Sequence, residues 1–185
     1  MAWIKVIDEA EAAEKLREVY DDVIRERGKL SNIMRAQSLN AEAMARHLGL
    51  YATLMFGESA LTRAEREFIA VVVSSANRCE YCVNHHAHPL RLYWKDDERV
   101  DAAIGDWREG PFSPRERALA AYAEKLTRAP AHVAAEDVAA LRARGLSDRD
   151  ILDVNMITAY FNFVNRVAAG LGVEYTPEEV RGYKT

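Results

Sequence analysis

The chain has 185 residues, of which 49% are hydrophobic and 29% charged, with a net charge of −4. That length suits one domain, or two small halves sharing one core, and it carries enough apolar residues to bury a real interior. The acidic balance argues against nucleic acid, because phosphate binding needs clustered Lys and Arg. No stretch approaches the ~18 apolar residues of a membrane span. The N-terminal MAWIKVIDEAEAAEKL has only a short apolar patch before acidic helix-former sequence, not the core of a signal peptide. These features predict a cytoplasmic protein.

Helix formers dominate the chain. IDEAEAAEKLREVYDDVIRERG reads as an amphipathic helix with Asp8 as N-cap, Glu11 three residues on, and Gly28 as its stop. NAEAMARHLGLYATLMFG is a second helix, ended by Gly57. LTRAEREFIAVVVSSA opens on Thr62 as N-cap with Glu65 as its reciprocal partner. Its β-branched run from Phe68 to Val73 would also suit a buried strand, but length and capping box favour a helix buried on nearly all sides. PLRLYWKDDERVDAAIGDW is helical with turns at Gly105 and Gly110. SPRERALAAYAEKLTRAP starts on Ser113 with Pro114 at the first helical position. AAEDVAALRARG is a short helix ended by Gly145, and LSDRDILDVNMITAYFNFVNRVAAGLG is the last long one. In the register that pairs Leu61 with Leu146, the third and last of the long segments repeat a pattern: Leu, a hydroxyl cap, charges, an apolar run. Cys79 then falls opposite Val164 and Cys82 opposite Val167, which supports a pseudo-repeated all-α bundle.

The chemistry sits in SANRCEYCVNHHAHPL, which holds both cysteines and three of the five histidines. In a reducing compartment a C-x-x-C pair is redox-active or metal-binding more often than a structural staple. Asn77 is a good N-cap type and Glu80 stands at the reciprocal N3 position, so a new helix is expected from Asn77. Cys79, Cys82 and His86 then fall at i, i+3 and i+7 on one face, and Pro89 kinks or ends the helix near His88. A helix N-terminus lowers the pKa of Cys79 and, less strongly, of Cys82. A nearby His accepts a thiol proton, and a second Cys condenses with an oxidised first one.

Two other readings compete. The cysteines can be core filler. Cys79, Cys82, His86 and His88 can be written as a Cys2His2 zinc set, although four ligands within ten residues of one helix close a tetrahedron poorly. His85 and His88 read as exposed or pocket-lining, and His47 and His132 as ordinary helix or loop residues. Glu67 opens the buried part of its helix, and a buried carboxylate needs a partner. On one straight helix it would lie about 18 Å from Cys79. A chain break before the cysteines lets Glu67 fold back onto His86 and orient the imidazole.

Glu67, CEYC (79–82) and His86 reproduce an E-x11-C-x-x-C-x3-H pattern. This resembles the AhpD-like alkyl hydroperoxidases of the carboxymuconolactone decarboxylase superfamily. The wider layout, roughly residues 30 to 172, resembles the peroxidase-related subgroup. The resemblance implies an AhpD-like helical bundle, homo-oligomers of trimer or hexamer size, and a peroxidase that needs no cofactor or metal. It implies Cys82 as the peroxidatic thiol, Cys79 as the resolving one, and Glu67 with His86 as a proton relay. Hydroperoxide would be the substrate and an external dithiol the reductant. AhpD proteins carry a His immediately before the second Cys, and this chain has Tyr81; His85 or the Tyr81 hydroxyl would take its place.

The chain is therefore expected to be one AhpD-like domain over 1–185: N-terminal helices 1–57, a C-x-x-C core 58–92 and a helical C-terminal half 93–185. The function expected is dithiol peroxidase or disulfide reductase, with no nucleic-acid or membrane partner. The rivals are a lactone decarboxylase on the same fold, with both cysteines idle, and a zinc-stabilised interaction module without catalysis. Trp94, Trp107, Tyr160 and Phe161 add a second reason to expect an oligomer if they do not all fit inside, although plain core is the fate read for most of them.

Overall fold

The computed structural model describes residues 2–183. These residues form an all-helical, AhpD-like fold: α1 (Glu14–Arg27), α2 (Asn32–Arg35), α3 (Ala41–Phe56), α4 (Arg63–Ala76), α5 (Glu80–Trp94), α6 (Asp97–Ile104), α7 (Pro114–Arg128), α8 (Ala135–Arg142) and α9 (Asp148–Gly170). No strand occurs among the described residues. None of the helices described is long and apolar enough to cross a membrane.

Two compact units divide the chain. One draws on the helices up to Thr53 and on the chain from Arg166; the other is Leu54–Asn165. In the first, Leu16, Val19, Tyr20 and Val23 of α1 pack with Met34, Met44 and Leu48. The Tyr20 hydroxyl would be costly to bury alone, and it donates to the Ile7 carbonyl at 2.7 Å. Burial lowers the pKa of His47 to about 4, so the imidazole is neutral and bonded through Nδ1 to Gln37 at 2.9 Å. Gly28 closes α1 in the left-handed region at φ 81°, which a residue without Cβ adopts freely.

One N-terminal expectation is corrected. α1 begins at Glu14, not at Asp8; residues 9–11 form a separate 3-10 turn. Arg35 reaches Asp8 at 3.5 Å and Glu9 at 2.5 Å, and Arg17 takes the Glu9 carbonyl. These long-range cations hold the acidic residues outside the helix.

The second unit is built around α4. Every residue from Arg66 to Ser74 is buried, so the apolar run is a core helix and not a strand. Its start is fixed locally: the Thr62 hydroxyl accepts from the Glu65 amide at 3.1 Å and the Glu65 carboxylate accepts from the Thr62 amide at 2.8 Å. α7 opens with the same box at Ser113 and Glu116, and α9 with Ser147 and Asp150. Arg115 bonds Glu65 at 2.6 Å and so ties the start of α7 to that of α4. Phe68 stacks on Phe112 at 4.9 Å and tilts against Trp94 at 5.3 Å. Tyr160 and Phe161 are core, while Trp94 and Trp107 are half-buried, the Trp107 indole donating to Glu124.

The repeated pattern has a structural counterpart. Thr62/Glu65 and Ser147/Asp150 are equivalent caps, and Asn77 and Asn162, 85 residues apart, occupy equivalent positions and bond each other at 3.1 Å.

Candidate active site

The link between α4 and α5 is a three-residue turn, Asn77 to Cys79. The Arg78 amide bonds the Ser75 carbonyl at 3.0 Å and the Cys79 amide bonds that of Ser74 at 2.9 Å, the paired bonds of a Schellman C-cap. Its left-handed residue is Arg78, at φ 55°. Two expectations are corrected here. Asn77 caps the C-terminus of α4 instead of starting α5, and the N-cap of α5 is Cys79 itself. Asn suits either end of a helix, and its Nδ2 is spent across the unit on Asn162 and on Asn165 at 2.9 Å. Nor does Pro89 stop the helix: α5 runs on to Trp94, carried past the missing amide by buried Ala87 and Leu90 on either side.

This turn sets Cys79 at the N-cap and Cys82 in the first turn of α5, both buried and both free. Their thiols share one hydrogen bond with unequal results. The Cys82 S–H donating to Cys79, with help from the Cys82 backbone amide and against burial, lowers Cys79 to about 7. The same bond, burial and the Cys79 charge push Cys82 well above the ordinary thiol range, while the Asn165 side chain pulls the other way. Of the two thiols, Cys79 is therefore the more acidic.

The fold-back inferred from the sequence brings Glu67 and His86 together. Glu67 is 1% exposed and accepts from His86 Nδ1 at 2.7 Å through Oε2. Its other oxygen accepts from Arg63 Nη2 at 2.7 Å. The carboxylate is paired on both sides, as a buried charge must be. The His86 ring stands edge-on to Phe161 at 4.5 Å, which fixes its plane. With Nδ1 held by the carboxylate, Nε2 is left for proton exchange. Tyr81, where a His stands in AhpD proteins, is buried with its ring stacked on His85 at 4.1 Å.

Sequence reasoning missed two contributors. Arg63 stands one turn before Glu67, and that i, i+4 spacing was a readable signal. Asn165 had none beyond being an amide in an apolar run, since its partners lie 88 and 91 residues away. Among the described residues no three His, Cys, Asp or Glu side chains are grouped to hold a metal ion, so the Cys2His2 set has no geometry behind it.

The all-helical frame, with a buried pair of free cysteines at a helix start, is AhpD-like, and the chain belongs to the AhpD and carboxymuconolactone decarboxylase superfamily. The carboxymuconolactone decarboxylase family matches residues 41–125. Among solved structures, the chain is similar to a peroxidase-related protein described as an alkylhydroperoxidase AhpD core from Ralstonia eutropha JMP134. The two are 30% identical with a TM-score of 0.87, covering 97% of this chain and 94% of that one. A peroxidase-related protein from Silicibacter sp. TM1040 is 32% identical with a TM-score of 0.83, covering 95% and 94%. The Bacillus subtilis (strain 168) protein YdfG is 25% identical over 116 residues, 62% of this chain and 78% of its own.

Proposed function

We propose that the protein is a dithiol peroxidase that reduces hydroperoxides through a Cys79–Cys82 disulfide and is returned to the dithiol by an external dithiol reductant. The observation that carries this reading is the unequal thiol pair. One sulfur, Cys79, is made acidic, and its neighbour three residues on holds a proton towards it. The family membership and the peroxidase-related relatives support it.

The steps follow from that pair. The shared proton moves from Cys82 to Cys79, leaving the thiolate on Cys82, the peroxidatic thiol that the resemblance implies. That sulfur attacks the terminal peroxide oxygen; the O–O bond breaks, sulfur is oxidised to the sulfenic acid, and the alkoxide takes the proton back from Cys79. The restored Cys79 thiolate attacks Cys82 sulfur, the disulfide forms and hydroxide leaves. His86, held by Glu67, supplies the proton that makes it water. The external dithiol then gives two electrons and two protons. Two free thiols of this kind suit the reducing cytoplasm.

The same reading includes assembly into a homo-oligomer. α9 presents Leu152, Met156, Ala159 and Phe163, spaced 4, 3 and 4 residues apart and all exposed, a stripe suited to a second helix.

The test is a thiol count before and after one equivalent of tert-butyl hydroperoxide, with metal content on the same sample. Loss of two thiols per chain without crosslinks, abolished in Cys82→Ser, is the expected result. Full turnover in Cys82→Ser would sink the reading. Inert thiols with about one bound zinc per chain would point to a structural site. Inert thiols without metal would leave a superfamily fold with other chemistry, such as lactone decarboxylation.

A further inference from the structure

Beneath the dithiol lies a chain of side-chain amides and hydroxyls that the relay does not use. Asn165, on α9, is 2% exposed. Its Oδ1 accepts from Asn77 Nδ2 at 2.9 Å, which fixes which end of the carboxamide is which. Its Nδ2 donates one hydrogen to Ser74 Oγ at 3.2 Å. One N–H remains, in a place without solvent, and a buried donor is costly unless it meets an acceptor. The acceptor beside it is the sulfur of Cys82.

We propose that Asn165 is the fixed donor to the Cys82 sulfur, holding it for attack and stabilising it as thiolate and as sulfenate. This rests on the dithiol reading above and adds a residue to it. Cys82 is buried and lies beside a second thiolate, so both surroundings oppose its ionisation. A neutral N–H directed at that sulfur favours the charged form without adding a charge that would compete with His86. The amide is preorganised: Asn77, the cap of α4, and Ser74, one turn earlier on the same helix, hold it on two sides. It therefore need not reorient when the negative charge arrives.

The pairing also links the two halves of the repeat. The position equivalent to Cys82 in α9 carries no thiol, yet α9 supplies the amide that faces Cys82. One repeat holds the reacting sulfurs and the other their donor.

The test uses the Cys79→Ser background, in which Cys82 is the one remaining cysteine and the strongest titratable influence on it is removed. The titratable and charged groups of the surrounding elements, Arg63 and Glu67 on α4 and Glu80, Tyr81, His85 and His86 on α5, stay the same in every variant. The rate of iodoacetamide labelling of Cys82 is followed by intact mass from pH 6 to 10. Asn165→Leu, which fills the space without a donor, is expected to raise the midpoint and to slow labelling at pH 8 by about tenfold. Asn165→Ala serves the same purpose if the Leu variant does not fold. Ser74→Ala is the matched control, since it removes another bond of the same amide and no donor to sulfur; its midpoint should stay.

An altered access path would scale the rate at every pH and leave the midpoint in place. An unmoved midpoint in the Asn165 variants, or an equal shift in Ser74→Ala, overturns the proposal. Labelling needs no peroxide, so this outcome is independent of the thiol-count experiment. A protein whose thiols ignore peroxide can still show the Asn165 effect, and a working peroxidase can fail to show it.

Discussion

Glu67 is the most deeply buried member of the proposed proton relay. A carboxylate this deep needs partners, and Arg63 and His86 occupy its two oxygens. Arg63 also donates to the Met55 carbonyl and stacks on Phe56 at 3.9 Å, so it is held in place by packing as well as by charge. Arg63→Gln should lower stability by roughly 3 kcal/mol, read as a shift of the urea midpoint. It should also slow peroxide reduction, because the freed carboxylate no longer holds the imidazole in one tautomer. A variant of wild-type stability would mean that His86 alone suffices for Glu67. The thiols carry a second expectation. Cys79 is protonated below its midpoint of about 7 and a thiolate above it, so its alkylation rate should rise through pH 7 and level off near pH 8. In Cys82→Ala the largest cause of that lowering is gone, and the midpoint should move up towards the ordinary thiol value of ~8.5. Equal profiles for the two proteins would show that the shared hydrogen bond does not set the acidity.

At the scale of elements, the α4–α5 turn decides whether there is a site at all. Thr62 with Glu65 starts α4, Asn77 ends it, and Arg78 reverses the chain in the left-handed region so that Cys79 caps the next helix. That conformation costs a residue with a Cβ about 1 kcal/mol. Arg78→Gly should therefore leave the dithiol geometry intact and change stability by less than about 1 kcal/mol, the relief of strain being offset by the entropy of a glycine in the unfolded chain. A loss of several kcal/mol on thermal unfolding would show that the Arg78 side chain anchors the turn in some other way. The caps were legible in the sequence because a capping box is a local contract between residues three apart; Thr62, Ser113 and Gly28 all sit where that reading put them. The turn was not legible. N-R-C-E satisfies the pattern of a helix start at Asn77, and nothing local says that Asn77 is claimed by two residues on α9. Asp8 failed for the same reason, held away from α1 by Arg35.

For the whole molecule, the exposed stripe on α9 is the feature with the widest reach. Leu152 is 54% and Phe163 49% exposed, on a helix whose opposite face is core. Burying such a stripe between copies would remove apolar area from water at about 25 cal/mol per Å2. Phe163→Glu should shift the protein to a smaller species in sedimentation velocity while leaving its helical content unchanged. The same oligomer in wild type and variant would place the interface elsewhere.

The sequence by itself determined the helical class, the helix starts at Thr62 and Ser113, the buried character of α4 and the choice of Glu67, Cys79, Cys82 and His86 as candidate residues. Each is written in short-range pattern: caps in side chains three apart, burial in apolar runs, the redox pair in a spacing of one helical turn. Only the tertiary structure decided how those four residues are tuned. That Glu67 meets His86 and that Asn165 faces the buried Cys82 sulfur depend on where elements separated in sequence come to lie. Electrostatics and hydrogen bonding act through space at a few ångströms, and the chain records those distances only once it is folded.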